Sequence, residues 1–436
     1  METFVALLLL GAGGYFTIKT GFVQVRRFLP SVSAFFRGGG ERDGRRVSPF
    51  EAAATSLAAT IGTGNIAGTA GALLIGGPGA IFWMWVSALL GMALKYVEIL
   101  YAVRLRRPAA GGGFAGGPMV YIERGLPPRW HFLSPVFALC AALAALGMGN
   151  LVQVNTVAES VVTLSGALLG GALSTAAARR IAFATGVVVA LLIARAVLGG
   201  SKRVGRMAAL LVPLMSVLYI GGATFVLLRR PAAIGPALGA IVRDAFHPQA
   251  VFGGTAGAAA VLHTFRVGVS RGVFTHEAGL GTAAIAHAAA DAEPERQALY
   301  GIFEVFLDTM VICTLTALAV LVSGVPLDYG NGSVAGALVT AAFATRLGDV
   351  GASLFLALLL LLFAFSSMLS FSLYGAQCAA HLFGPRAVRP YLIAFMGLCV
   401  LGAIVPLALA WRISEVLNML MALPNLLALV LLSRQM

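Results

Sequence analysis

From Phe50 to Glu98 the chain reads FEAAATSLAATIGTGNIAGTAGALLIGGPGAIFWMWVSALLGMALKYVE. No charged residue occurs between Ala52 and Leu94, yet the first half of the stretch contains Ile61-Gly62-Thr63-Gly64-Asn65-Ile66-Ala67-Gly68. Glycine and small polar residues are poor material for an unbroken helix. Apolar flanks around such a centre predict a membrane helix unwound at mid-depth. The bilayer core has no water to satisfy freed backbone groups, so a break of this kind persists only where it lines a cavity or binds something.

The rest of the chain fits that setting. Of 436 residues 59% are hydrophobic and 11% charged, and the mean hydropathy is +0.92, whereas soluble domains carry roughly 25% charged residues. A spanning helix needs about 20 apolar residues. Eleven such segments can be laid out, at 2–18, 50–75, 79–103, 132–165, 181–200, 207–228, 248–265, 298–323, 351–380, 390–410 and 414–433. The 53 glycines suit close helix packing in lipid. This predicts an all-α polytopic membrane protein with residues 1–49 as an N-terminal helix and basic loop, and 50–436 as the core. The first segment opens Met-Glu rather than with basic residues, which favours a retained helix over a cleaved signal peptide.

The net charge of +13 is spread over short loops and does not form the basic face that a nucleic acid requires. If the N-terminus is outside, most Lys and Arg fall in loops on the cytoplasmic side, the basic loop after Ile18 foremost, so the C-terminus is cytoplasmic as well. Cys140, Cys313, Cys378 and Cys399 sit in separate apolar segments without metal-like spacing and read as packing residues. His263, His276 and His287 have no metal-ligand spacing either and read as loop and cavity-lining residues.

Setting the first segment aside leaves five on each side of the Arg229–Arg243 stretch, repeat one at 50–228 and repeat two at 248–433. An odd number per half predicts inverted topology. Each half opens with a glycine-interrupted segment, at Gly62, Gly64 and Gly68 in the first and at Gly253, Gly254 and Gly257 in the second. Paired broken helices point to a central site, although glycines that only permit close packing would leave the same pattern. The stretch from Arg266 to about Asp291 reads as an ordered gating loop, and Ser333 to Leu347 as a short helix over the outer mouth.

Several motifs in chain order resemble the alanine or glycine:cation symporter family: Thr60–Gly68 (TIGTGNIAG), Gly76–Val86 (GGPGAIFWMWV), Gly116–Ile122 (GGPMVYI), Glu277-Ala278-Gly279, Ala286–Ala290 (AHAAA) and Met421–Asn425 (MALPN). The resemblance covers nearly the whole chain. It implies a leucine-transporter-like 5+5 inverted repeat plus one extra N-terminal helix, in a prokaryotic plasma membrane. It also implies sodium- or proton-driven uptake of a small amino acid such as alanine or glycine, with no organic cofactor and a monomer as the working unit.

Site expectations follow. Free amides at the first break, around Gly62, Thr63, Gly64 and Asn65, suit a substrate carboxylate, and carbonyls near Gly253, Gly254 and Gly257 suit its ammonium group. Asn150 and Gln153 are three apart on one helix face. The resemblance puts that helix along the cavity and makes Gln153 a ligand; interhelical hydrogen bonding is the alternative. Ser366 and Ser367, with carbonyls freed near Ala59 and Gly62, make the oxygen set a hard cation prefers, and Ser367 and Phe371 also face the substrate. Lys95 and Glu98, and four residues apart Glu304 and Asp308, are ionisable groups within spans and therefore functional candidates. Lys95 paired with Asp308 or Glu98 is the expected structural charge pair.

The chain departs from the family at Ser370-Phe371, usually Gly-Trp, at His276, usually Asn, and at Glu304, usually small. A Phe in place of Trp removes volume and an N–H donor, which suits a larger neutral amino acid or related zwitterion. A channel or an amino-acid sensor is the more remote reading. An enzyme is not expected, since no nucleophile, base and orienting group come together.

Overall fold

The structure is a computed structural model that describes residues 2–37, 47–108, 114–171, 173–197, 200–248, 251 and 257–435. It is helical apart from one two-stranded ribbon, Arg107–Pro108 with Phe114–Ala115. Helix α1 (Glu2–Lys19) and two shorter helices, Val23–Arg26 and Phe28–Arg37, precede a bent pair, α2 (Pro49–Thr60) and α3 (Thr69–Gly76), which leads to α4 (Gly79–Arg104). Next come α5 (Leu133–Leu146), α6 (Gln153–Leu169), α7 (Thr175–Val197) and α8 (Gly200–Leu227). The second half holds α9 (Ala258–His276), α10 (Thr282–His287), α11 (Pro294–Val305), α12 (Thr314–Ser323), α13 (Ala335–Phe383), α14 (Val388–Gly402) and α15 (Leu407–Leu432). Among the described residues seven helices are long and apolar enough to span a membrane, and an eighth if the bent pair is one span.

Local chemistry explains where the decisive helix begins and ends. Ser48 caps α2: its hydroxyl accepts from Glu51 N–H at 3.1 Å, the Glu51 carboxylate accepts from Ser48 N–H at 2.9 Å, and Pro49 takes the first helical position. The helix stops at Ile61, whose ψ of 88° leaves the helical region. After Gly62 and Thr63 the chain re-enters through a π-turn, Gly64–Gly68, and the two halves are bent by 47°. A helix broken inside Phe50–Glu98 is therefore what the structure contains.

The helices form two groups. The α2–α3 pair, α4, α9–α10 and α11–α12 pack together, with α4 lying along both α9 and α11. Close approach of α4 and α9 depends on Gly268 and Gly272, where a Cβ would overlap the Ala80 carbonyl and the Ser87 hydroxyl. The other group is α5–α6, α7, α13, α14 and α15, and α8 and α13 clasp α2 from outside the first group. Helix α13 is bent at Gly348 (φ 71°), and its first part, from Ala335, forms the expected short helix; Ala335 lies opposite Gly71 of α3.

One expectation about the second half is corrected, and one break is found that the sequence reading did not place. Arg266–His276 is not a loop: α9 runs through it to His276. The second break lies after α9, at Glu277–Gly281, where Glu277 (φ 56°), Gly279 (φ 91°) and Gly281 (φ 81°) take left-handed backbone conformations. Gly253 and Gly254 lie outside the described residues, and Gly257 is an exposed residue at the start of α9 with open space around it.

Candidate functional site

The two breaks face each other inside the first helix group. α2 packs on α10, while the π-turn after the first break and α3 pack on α9. Residues Thr60–Asn65 and Thr275–Gly281 are all buried.

At the first break the Gly62 and Thr63 amides are not free but bonded within the protein. Gly62 N–H donates to Asn65 Oδ1 at 2.9 Å. Thr63 gives both its N–H (3.3 Å) and its hydroxyl (3.1 Å) to Gln153 Oε1. A Cβ on Gly62 would stand 2.8 Å from Ser367 Oγ and 3.2 Å from Gln153 Nε2, so Gly62, Ser367 and Gln153 converge on one point. Gly64 faces the Phe274 ring, with a Cβ there 3.3 Å from it. Phe371 is buried against Gly149, where a Cβ would overlap the ring, and meets Tyr374 edge-on at 5.6 Å.

The serines of α13 lie along the end of α2. Ser367 donates to the Ala59 carbonyl at 3.3 Å, and Ser366 donates to Phe363 O at 2.9 Å and reaches Ala58 O at 3.5 Å. Ser370 and Tyr374 both donate to Thr55 O, at 2.7 and 3.2 Å. Hydroxyls and main-chain carbonyls are thus gathered where α2 loses its helical bonds, a donor set suited to a hard monovalent cation.

Asn150 and Gln153 do not share a target. Asn150 Nδ2 donates to Phe395 O of α14 at 2.5 Å, while Gln153 turns to the first break. A π-turn, Gly147–Val152, separates α5 from α6 and rotates residues three apart onto different neighbours.

The same effect corrects the charge pair. A third π-turn, Phe306–Cys313, follows Glu304 and contains Asp308. Lys95 Nζ pairs with Glu304 Oε2 at 3.2 Å and also donates to the His276 carbonyl at 3.1 Å. Asp308 instead accepts from Asn65 Nδ2 at 2.6 Å and from the Thr309 hydroxyl at 2.8 Å. Glu98 accepts from Gly281 N–H at 3.0 Å and from Asn425 Nδ2 at 2.5 Å, and so binds to the second break.

The sequence reading gave no role to Phe274, Trp411, Arg271 or Asn425. Arg271 pairs with Glu415 at 3.1 Å and lies 4.4 Å from the Trp411 ring centre, and Trp411 packs on Phe274 at 4.6 Å between centroids. This stack covers one end of the site. Asn425 bridges Glu98 and the Gly279 carbonyl (2.9 Å) and accepts from the Tyr121 hydroxyl. The signal for it was present in the Met421–Asn425 motif. His276 and His287 are buried core residues rather than loop residues; His276 Nδ1 accepts from Ala278 N–H at 3.1 Å.

Comparison with known proteins agrees with this architecture. The sequence pattern of the sodium:alanine symporter family matches residues 1–436. The chain is 41% identical over 434 residues to the sodium/alanine symporter AgcS of Methanococcus maripaludis, covering 99% of this chain and 92% of that one. It is 36% identical over 433 residues to the probable sodium/glutamine symporter GlnT of Bacillus subtilis, covering 98% and 85%. Among solved structures, MhsT in complex with L-phenylalanine superposes with a TM-score of 0.64 at 14% identity, covering 89% of both chains, which establishes a shared fold.

Proposed function

The chain belongs to the sodium:alanine symporter family, and from that premise we propose that it carries a small neutral amino acid across the membrane together with sodium, by alternating access. It is a multi-pass membrane transporter and not an enzyme. The observation that carries the substrate reading is the buried first break, where the Gly62 and Thr63 amides are held by the side-chain oxygens of Asn65 and Gln153. A substrate carboxylate replaces those oxygens one for one, so binding exchanges hydrogen bonds and leaves no donor bare. Gly64 and Asn65 continue the same donor edge.

The ammonium group of the substrate finds acceptors among backbone carbonyls of the second break. Phe274 and Phe371 bound the apolar side, and Phe371 leaves room for side chains beyond methyl. Sodium takes the Ala59 and Gly62 carbonyls with the hydroxyls of Ser366 and Ser367, next to the substrate. What supports one shared site is the convergence of Gly62, Gln153 and Ser367. Sodium is the coupling ion in this reading and the proton its competitor. The arrangement comprises eleven spans with the N-terminus outside and the C-terminus cytoplasmic, organised as repeats 50–228 and 248–433 in one functional monomer of a prokaryotic plasma membrane.

The deciding experiment is uptake of labelled alanine, glycine and glutamine into liposomes, with sodium and proton gradients imposed separately. Sodium-driven accumulation of at least one is expected. No gradient-driven accumulation of any of the three refutes the assignment.

A further inference from the structure

Four helices around the two breaks meet at a single carboxylate, and a fifth is reached through Lys95. Glu304 of α11 is fully buried, and its two oxygens accept from three different helices. Ser56 of α2 donates to Oε2 at 2.7 Å, Lys95 of α4 lies 3.2 Å from the same oxygen, and His287 of α10 stands 2.8 Å from Oε1. Lys95 simultaneously donates to the carbonyl of His276, the last residue of α9. An ammonium at a helix C-terminus is favourably placed for the dipole.

The histidine's role follows from its other nitrogen. Gln297 Nε2 lies 3.1 Å from the Pro49 carbonyl and 2.7 Å from His287 Nδ1. An amide placed there turns its NH2 to both acceptors, so His287 carries its hydrogen on Nε2 and donates it to Glu304. The cluster then contains one positive and one negative charge, with the carboxylate fully bonded. It closes with no net charge in a site where an unbalanced one is costly.

We propose that Glu304 is a positioning residue for cation binding: it sets the end of α2, and with it the Ala59 and Gly62 carbonyls, against Ser366 and Ser367. Ser56 lies three residues before Ala59 and four before Thr60, about one helical turn from the end of α2. On its other side α2 is held through Thr55 O by Ser370 and Tyr374 of α13. Within the first helix group, Gln297 holds the start of α2 through the Pro49 carbonyl, and the Ser56–Glu304 bond holds it nearer the break. Without that bond the start of α2 stays tied at Pro49, its last turn follows α13, and the cation oxygens lose their spacing while the rest of the fold stands.

This inference rests on the cation site proposed above, and it is tested by sodium binding rather than transport. Full-length protein is melted in increasing sodium chloride, with choline chloride keeping ionic strength constant. Ser56→Ala is expected to raise the sodium midpoint at least tenfold with an unchanged melting temperature in choline chloride, and Ser56→Thr to restore it. The double variant Lys95→Met/Glu304→Met removes both buried charges together and is expected to fold with the same raised midpoint. A wild-type sodium midpoint in Ser56→Ala or in the double variant overturns the proposal. So does a lowered melting temperature in Ser56→Ala with an unmoved midpoint, which assigns the bond to stability alone. Absent uptake by the wild type would defeat the transport reading; equal midpoints in wild type and Ser56→Ala would defeat this one, whether or not the liposomes transport.

Discussion

Gly62→Ala tests the shared site with a single methyl group. Gly62 does not have a positive φ, so alanine is allowed by the backbone and the change acts through space alone. The added Cβ would lie 2.8 Å from Ser367 Oγ and 3.2 Å from Gln153 Nε2. Ordinary van der Waals separation requires each to withdraw by several tenths of an ångström. Ser367 is already at 3.3 Å from Ala59 O, so its retreat removes that bond. Overpacking of a tight site costs about 1–3 kcal/mol, which corresponds to about 5- to 150-fold in apparent affinity. Because the methyl touches the proposed ligands of both cation and substrate, both half-saturation constants should rise together. The assay is initial uptake of labelled amino acid in liposomes as a function of sodium and of substrate, with folded protein checked by size-exclusion chromatography. Wild-type values for both constants in well-folded Gly62→Ala would refute the convergence of the two ligands at Gly62.

Three further outcomes are expected. Gln153→Ala leaves the Thr63 amide and hydroxyl without their acceptor and removes the side chain lining the break; uptake should fall at least tenfold in kcat/KM while the protein still elutes as a folded species. Phe371→Trp adds volume beside Gly149, so competition assays should show larger neutral amino acids losing affinity relative to glycine and alanine. Lys95→Met alone strands the buried Glu304 carboxylate without its ammonium, a loss of about 3–5 kcal/mol; folded yield should collapse, and adding Glu304→Met should recover it.

The stretch from Arg266 to His276 departs from the sequence expectation for one reason. Arg266 and Arg271 look like loop residues in a chain with so few charges, yet Arg271 is carried on α9, satisfied by Glu415 and the Trp411 ring. That pairing spans residues far apart in sequence and leaves no local trace. The helix therefore extends beyond where the sequence alone ends it. The break that follows α9 is marked by Glu277-Ala278-Gly279, a motif that is visible in the sequence but silent about its left-handed backbone.

By itself the sequence determined a polytopic helical membrane protein, a helix opening the core that is broken at Gly62–Thr63, and a family whose motifs run along the chain. These are consequences of composition and local backbone preference, which need no partner. Tertiary structure alone decided which side chains meet. Helical spacing put Glu304 with Asp308 and Asn150 with Gln153, but a π-turn in each segment changes the angle between them. Glu304 then goes to Lys95 and Asp308 to Asn65, while Asn150 goes to Phe395 and Gln153 to Thr63. A π-turn is stabilised by what its rotated residues bind, so its position is set by the packed neighbours and not by the residues that form it.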